Sequence, residues 1–157
     1  MANTYTQLYI HLVFAVEHRD RLIHSSFKDE LMKYMTGIIQ NKGNKLLAIN
    51  TMPDHGHIFL GLNPKNAISD LAKEVKVSST DFINEKKWLR GRFHWQEGYG
   101  AFSYSHSQID RVVKYILNQE KQHRLVHIVT NHPEVQEYAC KVFYDSLISK
   151  WFDDLKY

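Results

Sequence analysis

Four side chains in this sequence have the type and spacing to do chemistry together: His55 and His57, one residue apart, and Tyr115 and Gln119, one helical turn apart. Side chains alternate along a strand, so a His-x-His pair points two imidazoles to one side. Two imidazoles can begin a metal site but cannot close one, so a third donor and open positions are needed. The amide oxygen of Gln119 is a candidate, and an imidazole-plus-amide set suits Mg²⁺ or Mn²⁺ better than thiolate-loving Zn²⁺. A plainer description also fits: two strand histidines satisfied by hydrogen bonds, and a tyrosine covering apolar surface.

These residues need elements to position them. The histidines lie in MPDHGHIFL, residues 52–60, just after a Pro-Asp turn, between LLAINTM (46–52) and HIFLGL (57–62), which read as two strands. YTQLYIHLVFAV (5–16) reads as an earlier strand. SSFKDELMKYMTGIIQNKG predicts a helix capped by Ser25 or Ser26 and ending near Gly43, with Phe27, Leu31, Tyr34, Met35 and Ile38 as its apolar stripe. Ile68, Leu71, Ala72, Val75, Phe82 and Ile83 predict a second amphipathic helix over 66–86. WQEGYGAFSYS (95–105) reads as a turn entering a short strand, and Ser105 with Gln108 forms a capping box for a third helix. On that helix Ile109, Val112, Val113, Ile116 and Leu117 form the expected core stripe. Tyr115 and Gln119 then fall about 40° apart on a more polar flank, near Gln108, Arg111 and Gln122. The stretch 132–157 reads as a helical tail.

The order strand, helix, strand, strand, helix, strand, helix predicts an α+β, ferredoxin-like (RRM-like) fold. An antiparallel sheet carries two helices on one face, and a C-terminal helix bearing the tyrosine is added after it. With 157 residues and no repeat or linker, a single domain over 1–157 is expected. An apolar share of 43% marks a folded chain, and no apolar run nears the ~20 residues of a membrane span. The N-terminus lacks a secretory pattern and Cys140 is the lone cysteine, so a cytoplasmic protein is expected. A net charge of +3 is compatible with a nucleic-acid partner and equally with a basic enzyme lacking one. KKWLRGRFHW (86–95) interleaves Lys86, Lys87, Arg90 and Arg92 with Trp88, Phe93 and Trp95, the mixture single-strand binders use. The alternative is a charged loop whose tryptophans cap the core. Arg19 and Arg21 are further candidate nucleic-acid contacts.

Taken together, MPDHGHIFL, WQEGYGAFSYS and VVKYILNQEKQHR resemble, in order and spacing, the single-tyrosine HUH transposases of small bacterial insertion sequences. This IS200-like family includes the transposases associated with repetitive extragenic palindromes. YIHLVFAVEHR is similar to the family's first strand, and the resemblance runs over about 5–124. It implies that His55, His57 and Gln119 bind a divalent metal, Mg²⁺ or Mn²⁺, and that Tyr115 attacks single-stranded DNA. A 5′-phosphotyrosine link and strand transfer would follow. It further implies hairpin DNA as ligand, a homodimer in which Tyr115 works in cis or in trans, and no nucleotide cofactor. Tyr99 and Tyr104 are fallback nucleophiles.

Two departures stand out: Gly56 replaces the bulky residue of the motif, removing packing on the opposite sheet face, and the tail 125–157 matches no family motif. Two other functions remain open, a domesticated relative that binds or nicks palindromic DNA without mobility, and a non-catalytic ferredoxin-like RNA-binding module.

Overall fold

HGHIFLG forms a strand, β3 (His55–Gly61), whose first six residues are all buried, so both of its faces are covered. The structure, a computed structural model, describes residues 4–119. The third helix beyond 119, with Gln122, and the tail 125–157 lie outside the described residues.

Before β3 come β1 (Tyr9–Ala15), α1 (Ser25–Asn41) and β2 (Lys45–Met52); after it come α2 (Ile68–Lys86), β4 (Gly100–Tyr104) and α3 (Ile109–Leu117). The sheet order is β2-β3-β1-β4, antiparallel throughout, which is the ferredoxin-like arrangement expected from the element order. The two motif histidines both fall inside β3, which starts two residues earlier than the apolar run indicates. Its partner in the hairpin is β2, with Met52 opposite His55, so only Pro53 and Asp54 make the connection. Residues 5–8, expected in the first strand, precede β1, and Tyr5 is exposed.

Period-two alternation sorts the sheet into two chemistries. Ile10, Leu12, Phe14, Ile58 and Leu60 face α1 and α2, where Phe27, Leu31, Met35, Ile39, Leu71, Val75 and Ile83 meet them. Each such side chain contributes about 1.5–3 kcal/mol when fully buried. Val13, Ala15 and Phe59 face the other way and are covered by Val112, Tyr115 and Ile116 of α3. His11, His55 and His57 share the parity of that second face, and all three are buried. The result is three layers, α1/α2, sheet, α3.

The local signals held in part. Ser105 and Gln108 do form the capping box, around a 3₁₀ turn (His106–Gln108) that feeds α3. Neither Ser25 nor Ser26 caps α1; His24 occupies that position without a side-chain bond, and Ser25 is already helical. Tyr34, assigned to the α1 stripe, is 37% exposed and stacks on Phe82 of α2 at 4.0 Å, whereas Ile39 takes the buried place. Ion pairs Lys42–Glu74 and Lys86–Glu30 join α1 to α2 at the surface, where such pairs contribute little.

Glycine matters differently at two positions. Gly43 follows α1 at φ +80°, and a Cβ there would lie 2.7 Å from Asn63 Nδ2. Gly56 faces the α1/α2 layer, and a Cβ would make an ordinary 3.6 Å contact with Thr51 Cγ2, so the space left by the motif's missing side chain admits a methyl. Gly43→Ala is therefore expected to lose about 1 kcal/mol or more, and Gly56→Ala to be neutral or gain up to about 1 kcal/mol. Urea unfolding of the two variants checks this ordering, and equal losses would refute it.

Candidate functional site: a histidine face beneath the third helix

The site is built on neighbouring central strands. His57 of β3 lies opposite Val13 of β1, and His11 is two residues before Val13 on the same sheet face. The diagonal brings His11 Nε2 to 2.9 Å from His57 Nδ1, with the rings stacked at 5.1 Å and 27°. His55 and His57 meet edge to face, centroids 4.9 Å apart. Burial pushes the His11 imidazole down to about 3, so it is neutral at ordinary pH.

Asp54, in the β2–β3 turn, holds the other motif histidine. Its Oδ1 lies 2.7 Å from His55 Nδ1, while Arg19 donates to Oδ2 through Nε at 3.2 Å and Nη2 at 2.9 Å. Burial alone would raise this carboxyl. The His55 hydrogen bond and charge, with Arg19, outweigh that and hold it at about 2. Arg19 reaches Asp54 from a 3₁₀ turn (Glu17–Arg19) where His18 and Arg19 both have left-handed backbones, φ 58° and 56°. Non-glycine residues adopt that conformation only where surrounding contacts hold them there.

The third helix corrects the expectation from its periodicity. Tyr115 and Gln119 are not on an open polar flank: they are 5% and 1% exposed, on the face that packs against the sheet with Val112 and Ile116. Leu117, assigned to the core stripe, is 57% exposed, and Ile109 and Val113 are only partly buried. The helix can turn this way because the surface beneath it is itself polar. Asn50 of β2 donates to the Ile116 carbonyl at 2.9 Å, and the Tyr115 ring stands perpendicular to that of His57, centroids 6.1 Å apart. Gln119 Nε2 donates to the Tyr115 carbonyl at 3.2 Å, so Oε1 is the side-chain atom with lone pairs that could be offered to a cation. Of the fallback tyrosines, Tyr99 packs with the α1/α2 core on the other face, and Tyr104 sits beside His11, centroids 6.4 Å apart.

The basic segment divides. Phe93 and Trp95 are buried, and Trp95 Nε1 donates to Ser79 Oγ at 2.8 Å. Trp88 stacks on Phe27 at 4.5 Å. The aromatics thus cap the α1/α2 core, as the charged-loop alternative holds. Lys86 pairs with Glu30, while Lys87, Arg90, Arg92 and Arg21 are exposed. Arg90 and Arg92 line an open cleft of about 430 Å³ with Leu22, His24 and Trp88. Arg19, read as a nucleic-acid contact, is instead half-buried against Asp54. Sequence reasoning missed His11 and Asp54. The visible signals were a histidine inside an apolar strand and an aspartate adjoining the motif.

Among the described residues no group of three or more His, Cys, Asp or Glu is placed to hold a metal. The candidate donors are two imidazoles on one strand face and the buried Gln119 amide oxygen just past the end of the helix that covers that face. That fits an open site for an oxygen-preferring cation and not a closed structural one. No helix among the described residues is long and apolar enough to cross a membrane.

Comparison with known proteins adds an independent line. The family described as "Transposase IS200 like" matches residues 4–119. The ISDra2 transposase TnpA of Deinococcus radiodurans is 29% identical over 120 residues, covering 72% of this chain and 84% of that protein. A crystal structure of a candidate transposase from Deinococcus radiodurans R1 superposes with a TM-score of 0.61 at 25% identity, over 76% of this chain and 95% of that one. A REP-associated tyrosine transposase bound to a REP hairpin shares the fold, with a TM-score of 0.57 at 15% identity over 78% and 74% of the two chains.

The Asn50 bond makes the docking of α3 testable. Asn50→Ala leaves the Ile116 carbonyl without this donor and should cost about 1–3 kcal/mol. Hydrogen exchange should accelerate at the amides of residues 112–117 while those of α1 keep their wild-type rates; unchanged exchange in α3 would remove Asn50 as its anchor.

Proposed function

The chain belongs to the IS200-like transposase family, and from that premise we propose that it cuts and rejoins single-stranded DNA at hairpins, with Tyr115 as nucleophile. His55, His57 and Gln119 would hold a divalent cation, Mg²⁺ or Mn²⁺. The observation that carries the reading is the perpendicular approach of the Tyr115 ring to His57, 6.1 Å between centroids, within one chain. The hairpin bound by the REP-associated tyrosine transposase supports the substrate class.

The chemistry follows from the residues present. Tyr115 Oη attacks the phosphorus, its O–H proton is lost, and the P–O3′ bond breaks. The departing oxygen takes up a proton and leaves as a 3′-hydroxyl, and the 5′-phosphate stays on the tyrosine. Attack by another 3′-hydroxyl reverses the step and joins new ends, the phosphodiester energy being conserved in the covalent link, so no nucleotide cofactor is consumed. When bound, the cation supplies charge to the phosphoryl oxygens and orients the phosphate for in-line attack. A phenol with an ordinary pKa near ~10 needs such a polarised target at neutral pH. Because α3 sets Tyr115 beside His57 of the same chain, the homodimer belonging to this reading is not required to bring those two rings together. Exposed Lys87, Arg90, Arg92 and Arg21 would meet the phosphates.

A labelled DNA hairpin oligonucleotide with added Mn²⁺ tests the proposal. Wild type should form a covalent protein–DNA adduct, and EDTA should abolish it. Tyr115→Phe should lose the adduct by roughly a thousandfold or more while binding the hairpin. An adduct that survives in Tyr115→Phe sinks the nucleophile. Hairpin binding without an adduct or joined product under any divalent metal would favour the domesticated reading, and a preference for RNA hairpins the RNA-binding module.

A further inference from the structure

We infer that Asp54 and His11 are positioning residues, which accept the Nδ1 hydrogens of His55 and His57 respectively and so commit both rings to the tautomer that ligates through Nε2. This rests on the reading of His55 and His57 as metal ligands, and adds what decides whether they can act as such.

An imidazole binds a cation only through a nitrogen lone pair, and which nitrogen carries it is set by the hydrogen bond at the other. For His55 the assignment is direct. Asp54 is ion-paired through Oδ2 with the Arg19 guanidinium, and a carboxylate paired in this way only accepts, so the hydrogen across the 2.7 Å contact belongs to His55 Nδ1. Arg19 fixes the second carboxylate oxygen with two bonds. Its turn holds two successive left-handed residues to do so, a placement that ordinary surface arginines do not need.

His57 has a partner that can donate or accept. His11 is fully buried, and an uncharged imidazole has one N–H and one lone pair, so it can take either side of the contact. If its Nε2 accepts across the 2.9 Å contact, His57 carries hydrogen on Nδ1 and presents a lone pair at Nε2. The opposite polarity would put the hydrogen on His57 Nε2 and block ligation there. Both motif rings are thus gripped at the same atom, from separate elements: β1 for His57 and the β2–β3 turn, backed by Arg19, for His55. Two like grips on adjacent ring partners are what a matched pair of ligands needs.

The test uses full-length, metal-free protein with ¹⁵N-labelled histidine, in which two-bond ¹H–¹⁵N correlations separate Nδ1–H from Nε2–H rings. Both His55 and His57 should be Nδ1–H. In Asp54→Asn, whose amide can donate to Nδ1 as well as accept, His55 should show mixed tautomers, and Mn²⁺ affinity by titration should fall roughly 10–100-fold. His11→Leu should do the same at His57. His11→Gln, which keeps an acceptor oxygen, should recover part of the affinity and guards against a folding defect, which thermal melts would reveal. An Nε2–H ring at either position in the wild type overturns the inference. So does wild-type Mn²⁺ affinity in folded Asp54→Asn and His11→Leu. A wild type that binds no Mn²⁺ overturns the metal reading instead, and the tautomers still decide whether Asp54 and His11 hold the two hydrogens.

Discussion

Everything in this molecule depends on a central strand that is buried on both sides. β3 alternates between Gly56, Ile58 and Leu60, which complete the α1/α2 core, and His55, His57 and Phe59, which lie under α3. A strand with one wet face would leave its histidines solvated and free to rotate. Covering the second face removes water from the imidazoles, and buried polar groups must then find partners. The contacts from His11 and Asp54 are therefore demanded by the layering, and they fix the rings that the layering desolvates.

The same layering explains why α3 sits as it does. A wholly apolar surface under it would select Ile109, Val113 and Leu117 as the buried stripe. The actual surface carries His57 and Asn50 beside Ala48 and Phe59, so the best-matched helix face is mixed: Val112 and Ile116 for the apolar part, Tyr115 and Gln119 for the polar part. The burial of Tyr115 and Gln119 is thus a property of what they pack on as much as of the helix that carries them.

This separates what could be read from the sequence from what could not. The ferredoxin-like order, the His-x-His pair, the capping box and the end of α1 just before Gly43 depend on local chemistry or short spacing, and all were legible. The face of α3 was not, because amphipathic spacing defines a stripe without saying what surface it will meet. Asp54 read as part of a turn and His11 passed unremarked inside the first strand, since His11 meets His57 only when β1 and β3 pair and Asp54 meets Arg19 only when the chain folds back. Arg19 looked like a surface cation for the same reason. Trp88, Phe93 and Trp95 were ambiguous between stacking on a ligand and capping a core, and the stacking of Trp88 on Phe27, the burial of Phe93 and the Trp95–Ser79 hydrogen bond set them against the α1/α2 core.

The two-residue connection between β2 and β3 has a bearing of its own. Asn50, which holds α3, and His57 sit opposite each other in this hairpin, joined by nothing longer than Pro53 and Asp54. Such a short link leaves no slack, so helix and histidines are indexed from the same ruler. A one-residue slip would turn His55 and His57 toward Leu31 and Met35 and swing Ile58 beneath the tyrosine. It would also carry the aspartate out of step with its arginine. Misalignment would therefore break the apolar core and the polar face in one event, and a chain folded in the wrong register would have neither.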